Sequence, residues 1–259
     1  MKGKKFYIFL IILLLGGVGL KYYVEHKKKD VPKNNMEIVV EGSGNSYRPS
    51  YEETSTSTDA SEQLVVDYIT EGIPEYSGMS YVEIGSKPEF EVTTTSYIKL
   101  SELDELGRCG PAEACVSTDT MPQEGETRGE IGSIKPSGFK QAKYDGIVDS
   151  EPPYLWNLLM WALTGLNAEE RNLVTGTRYM NVEMTYHEIM VCKYIEQTSN
   201  HVMYRVSPLF VGDELVCRGL EMEAYSVEDD GEGINYHVFY YNVQPGIYID
   251  YRTGDSHEE

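Results

Sequence analysis

Asn181 and Glu188 stand seven residues apart in the stretch Arg171–Glu188, RNLVTGTRYMNVEMTYHE. Seven residues is close to two turns at ~3.6 per turn, so on a helix the amide and the carboxylate share one face. A neutral oxygen beside a charged one, with room for water, suits a hard cation such as Mg²⁺. That ion keeps several of its waters and takes few protein ligands. The competing interpretation of the same spacing is an ordinary solvated helix face. Upstream, Leu173 and Val174 read as strand, and Thr175-Gly176 as the turn leading into the helix.

Something must hold that helix, and the composition points to sheet. The chain has 259 residues, 21 of them Tyr, with many Val and Ile. From Leu64 on, short apolar or alternating runs such as YVEI and FEVTTTSYIKL are separated by Gly and Pro. SELDELGRCGPAEACVS reads as a Ser-capped turn of helix followed by strand. After a helix over 181–197 come three strand signals, HVMYRVSPLF, ELVCRGLEMEAYSV and INYHVFYYNV, the last two joined by the acidic turn EDDGEG. Strands on both sides of one central helix predict an α+β fold, an antiparallel sheet with helices packed on it.

The N-terminal quarter, residues 1–62, has a different character. Lys2, Lys4 and Lys5 precede an apolar run of 15 residues, Phe6–Leu20. That pattern predicts export, with residues 1–24 as either a signal anchor or a cleaved signal peptide. Residues 25–62 are rich in Ser, Thr, Gly and acid, the composition of a flexible linker. The folded domain is expected over 63–259, at the cell surface or secreted, with a membrane contact through the N-terminal segment. Net charge is −20 overall. The first 29 residues carry seven Lys and one acid, so the remainder holds 15 basic against 41 acidic residues, about −26. Such a body is repelled by nucleic acid at long range, which argues against a general nucleic-acid coat. A polyanion would have to meet a local basic group, and Arg128, Lys135, Lys140 and Lys143 form the densest one. Cys109, Cys115, Cys192 and Cys217 show no CxxC metal spacing; in an exported chain they allow one or two bridges of unspecified pairing.

The wording of residues 97–254 resembles a known family. LDELGRC, RGEIGSIKPSGF, RNLVTGTRYMN, HVMYRVSPLF, MEAYSVED and NVQPGIYIDYRTG occur in order. Together they are similar to the bacterial DNA/RNA non-specific endonucleases, which are ββα-metal nucleases. The resemblance implies a ββα-metal element and Mg²⁺-dependent hydrolysis of phosphodiesters in DNA and RNA, with contacts falling on phosphates. It also implies Asn181 as the metal-binding residue and Glu188 as the carboxylate that positions metal-bound water. Asn172 becomes a supporting polar residue ahead of the helix, and Arg128, Lys135 and Arg178 become phosphate contacts.

One part of the motif is missing. The family's Asn-Arg-x-His supplies the histidine that deprotonates the attacking water; here the corresponding residues are Asn157-Leu158-Leu159-Met160. Met160 occupies the approximate position of that His, and the segment 158–162 is shorter than usual. Of the five histidines (26, 187, 201, 237 and 257), His187 is the one candidate to replace it, but as a neighbour of Glu188 on the helix it points about 100° away from that face. Without the base, a loss on the order of 10²–10⁴-fold is expected from the acid–base contribution alone. Hydrolysis is therefore expected to be weakened or lost. The alternative is a catalytically silent relative that binds nucleic acid or a protein partner at the cell surface. Taken without the family, the apolar run YLWNLLMWAL at 154–163 predicts a buried helix.

Overall fold

A computed structural model describes residues 73–121, 132–160 and 169–259 of the chain. The N-terminal run, the linker and Arg128 lie outside the described residues. No helix among the described residues is long and apolar enough to cross a membrane.

The expected α+β architecture is present, with one long helix. Strands β1 (Tyr81–Glu83), β2 (Tyr97–Leu100) and β3 (Ala112–Val116) precede a hairpin of β4 (Trp156–Met160) and β5 (Leu173–Thr177). Helix α1 (Arg178–Thr198) follows at once. After it come β6 (Val202–Leu209), β7 (Gly219–Ser226), β8 (Asn235–Tyr241), β9 (Ile247–Asp250) and β10 (Asp255–Glu258). Six strands form one sheet in the order β1-β8-β7-β6-β3-β2, and every pairing is antiparallel. β4–β5 and β9–β10 are separate two-stranded ribbons.

Alternation along the central strands assigns the two sheet faces. Ala114, Tyr204, Val206, Leu220, Met222, Ala224, Val238 and Tyr240 share a buried core with Met180, Met184, Val191, Cys192 and Ile195 of α1. The opposite face carries a ladder of charges across four strands, because Glu113, Arg205, Glu223 and His237 are successive cross-strand partners. Arg205 bonds Glu223 at 2.7 Å and Glu113 at 3.1 Å. Opposite charges placed directly across strands stabilise the register they mark. Gly219 is required in β7, since a Cβ there would sit 2.2 Å from the Tyr240 carbonyl oxygen.

Three local expectations are corrected. The run at 154–163 does not begin a helix: Trp156–Met160 is strand, paired with Leu173–Thr177 from Trp156↔Thr177 to Met160↔Leu173. An unbroken apolar run has no period to separate a buried strand from a buried helix, and here the partner strand decides. Thr175 and Gly176 are not a turn but lie inside β5. At 101–108 there is no helix; the Asp104 carboxylate accepts from the Leu106 and Arg108 amides and closes a turn instead. The four cysteines are buried free thiols.

Two of the stretches named above, RGEIGSIKPSGF and NVQPGIYIDYRTG, meet backbone to backbone. Gly254, at φ +79°, approaches Gly138 so closely that a Cβ would fall 1.8 Å from the Gly138 carbonyl oxygen. This fastens the SGF loop to the β9–β10 turn. A second small core of Tyr144, Val148, Leu155, Trp156, Val216, Ile247 and Ile249 fills the space beneath.

Candidate metal centre

β4, β5 and α1 make a ββα unit, and its junction is bonded at every backbone position. The first helical turn leaves four N–H groups without an intrahelical partner. Thr177 N–H donates to Asn242 Oδ1 at 2.8 Å, and Arg178 N–H to the Leu155 carbonyl at 2.9 Å. Tyr179 N–H donates to Gln244 Oε1 at 3.1 Å, and Met180 N–H to Thr177 Oγ1 at 3.1 Å. Thr177 is thus the N-cap, and its hydroxyl also donates to the Val243 carbonyl at 2.7 Å. The hairpin is held from both sides by amide side chains that imitate a neighbouring strand. Gln141 accepts from Trp156 N–H and donates to the Trp156 carbonyl. Asn242 accepts from Thr177 N–H and donates to the Thr175 carbonyl.

Asn181 lies in the first turns of α1, half-buried. By helical spacing it falls within the arc occupied by Met184, Glu188, Val191, Cys192 and Ile195, toward one edge of it, and all five are buried. The face it shares with Glu188 is therefore the core-facing one, not a solvated one. The solvent side is the opposite arc of Tyr186, Lys193 and Gln197. Asn181 keeps its exposure because it sits at the helix start, where the arc leaves the sheet.

Glu188 is 1% exposed, and its Oε1 has no hydrogen-bond partner among the described residues. Burial pushes its carboxyl up from 4.5 to about 8. Its charge is felt by Cys192, Tyr204 and Tyr236. The Tyr204 hydroxyl is likewise buried and unpartnered. A protonated carboxyl with an unmet oxygen is a costly thing to bury unless something else completes it. Together with the Asn181 amide it is a donor set that fits a hydrated hard cation. Among the described residues no group of three or more His, Cys, Asp or Glu side chains converges to hold a metal. A centre at Asn181 would rest on few protein ligands and several waters.

The remaining candidates are spread along the unit. Met160 pairs with Leu173, so its backbone lies beside that of Asn172 at the loop end of the hairpin. Asn172 is fully buried in a short 3-10 turn, Glu170–Asn172. Arg178 is buried at the helix start. Lys135 is exposed, its ammonium donating to the Gly132 carbonyl and lying 4.6 Å from the centre of the Phe139 ring.

Each described histidine is engaged elsewhere. His187 Nδ1 lies 2.6 Å from the Tyr240 hydroxyl, with the Tyr236, Tyr186 and Tyr81 rings around it. His201 bonds Glu228 and His237 bonds Glu221, both at 2.6 Å, and His257 packs on Tyr248. Sequence reasoning missed Gln141, Asn242 and Gln244. The signal for the last two was the NVQPG stretch, whose amides had no assigned task.

Comparison with known proteins agrees with this geometry. NucA from Streptococcus agalactiae, solved with no metal bound, is similar over 78% of this chain and 98% of its own, with 23% identity and a TM-score of 0.59. The same protein with magnesium bound matches over 68% and 85%, at 22% identity and a TM-score of 0.54. Sda1 nuclease with a bound zinc ion matches over 63% of this chain and 82% of its own, at 26% identity and a TM-score of 0.54. Residues 91–228, more than half of the chain, match the pattern of the DNA/RNA non-specific endonucleases. With that match added to the ββα unit, the chain belongs to the DNA/RNA non-specific endonuclease family.

Proposed function

We propose that the protein is an exported, Mg²⁺-dependent phosphodiesterase of this family, acting on DNA and RNA through their phosphates, with its hydrolysis strongly weakened. The observation that carries the proposal is the placement of Asn181 on the same face of α1 as Glu188, a buried carboxyl whose Oε1 has no hydrogen-bond partner among the described residues. Asn181 would hold the ion directly, and Glu188, on the same helix face, would orient water beside it. Asn172 supports the hairpin end, and Arg128, Lys135 and Arg178 meet phosphate. A bound Mg²⁺ would supply neutralising charge at the scissile phosphate and the leaving 3′ oxygen. What the chain does not supply is a proton acceptor at position 160, since a thioether is no base toward water. Residues 1–24 deliver or anchor the chain, 25–62 hold the 63–259 domain away from the membrane, and the site works outside the cell.

The full chain with Mg²⁺ should cleave plasmid DNA and RNA about 10²–10⁴-fold more slowly than a family member that carries the histidine. Asn181→Ala should remove what cleavage there is. Brisk, EDTA-sensitive cleavage by the parent chain would sink the weakened-enzyme proposal. Residual cleavage unchanged in Asn181→Ala would move the activity to another site. A second reading is favoured by the engagement of every described histidine: a silent relative that binds nucleic acid or a protein partner. It predicts Mg²⁺-dependent retention of labelled oligonucleotide without any product.

A further inference from the structure

We infer that Asn242 and Gln244 of the NVQPG stretch are positioning residues for the metal centre, because between them they fix the first turn of the helix that carries Asn181. The inference rests on the reading of Asn181 as a metal ligand.

The geometry is specific. Of the four backbone donors at the start of α1, two end on these side chains, Thr177 N–H on Asn242 and Tyr179 N–H on Gln244. The other two end on Leu155 and on the Thr177 hydroxyl. Asn242 is fully buried and its amide is saturated. Oδ1 accepts from Thr177, while Nδ2 donates to the Thr175 carbonyl at 3.0 Å and the Cys217 carbonyl at 2.9 Å. The reversed amide would set its NH₂ against a donor and its oxygen against two carbonyls, so only one orientation is chemically allowed. Its own backbone is held too, by the Arg218 carbonyl on one side and the Tyr251 hydroxyl on the other. The clamp therefore runs from Cys217 and Arg218, the two residues that lead into β7, through one side chain to the last residue before α1.

Gln244 then sets the rotation of the helix. Tyr179 lies two residues before Asn181, within the same turn. A bond that fixes Tyr179 N–H fixes the direction in which the Asn181 side chain leaves the helix. Metal sites of few ligands depend on such support, and loss of an outer partner commonly weakens metal binding 10–100-fold. The β8–β9 turn also keeps the clamp rigid: Ile247 N–H donates to the Gln244 carbonyl, and Gly246, at φ +79°, takes the left-handed conformation that the turn requires.

The test uses the full chain and Mn²⁺ alone as the probe, without nucleic acid. Gln244→Leu should weaken Mn²⁺ binding by about 10-fold or more. In the same variant, hydrogen exchange at the Tyr179 and Asn181 amides should accelerate while β6 to β8 stay protected. Gln244→Glu keeps an acceptor oxygen and should return Mn²⁺ affinity to within a few-fold of the parent. A merely structural role would not produce that split, since it would lower thermal stability and sheet protection without a selective effect on the ion. If the parent binds Mn²⁺ and Gln244→Leu binds it equally well, the positioning role is overturned and the metal reading stands. If the parent binds no Mn²⁺, the metal reading falls and takes the positioning role with it. If exchange at Tyr179 is unchanged in Gln244→Leu, the clamp itself is refuted whatever the ion does.

Discussion

Glu188→Gln should raise the stability of the metal-free protein at pH 9 by about 5 kcal/mol, and leave it nearly unchanged at pH 4. The carboxyl titrates near 4.5 in an unfolded chain and at about 8 in the fold, because burial disfavours its anion. The raised folded value fixes the sign. The protonated group is at no disadvantage below pH 4.5. Between pH 4.5 and about 8 the unfolded chain ionises while the folded chain does not, so stability falls steadily as pH rises, at up to ~1.4 kcal/mol per pH unit. Above pH 8 both states are ionised and the loss levels off. Glutamine keeps the shape and cannot ionise, so it removes the slope. Urea denaturation in EDTA across pH 4 to 9 measures it; parallel curves for parent and variant would show that Glu188 is solvated or already paired. Adding Mn²⁺ should shrink the difference, since a cation beside the carboxyl favours the anion.

The other large effect concerns rate. Replacing the 158–168 stretch with an Asn-Arg-x-His segment of the family's usual length should raise Mg²⁺-dependent cleavage by about 10²–10⁴-fold. Met160→His alone should gain much less. β4 ends at Met160, and a base gains rate only when the segment around it has the length that places it against the reacting water. The graft should lose its gain when Asn181→Ala is added. A graft that folds, binds Mn²⁺ and still cleaves no faster would show that the remaining half of the centre is not competent.

The chain itself made much of this readable, and the reasons for the remainder are physical. β6, β7 and β8 are runs of Val, Tyr and other strand formers bounded by turn signals, so Val202–Leu209, Gly219–Ser226 and Asn235–Tyr241 are visible as strands. α1 begins three residues earlier than its periodicity suggests, because Thr177 caps it and the amides of Asn242 and Gln244 complete the turn. Trp156–Met160 is uniformly apolar but for Asn157, and periodicity says nothing about such a run; only the cross-strand partners 173–177 make it a strand. For Asn181 and Glu188 the shared face was legible, but not that it points inward. Spacing gives relative angle along a helix, whereas burial depends on where the sheet lies. The clamps were out of reach for the same reason: Gln141 and Asn242 act across 15 and 65 residues of sequence.

The separation of β4–β5 from the six-stranded sheet also bears on how such a chain can change over time. A residue altered within a large sheet disturbs two neighbouring strands and everything in register with them. Among the described residues the hairpin has only itself as a strand partner; side-chain amides grip its backbone, and Trp156 and Val174 bury in the two cores. Those amides do not read which side chains the hairpin carries. Change is therefore easier at the half-buried Asn157 and Leu158 than at Trp156 or Val174, which the two cores hold in place.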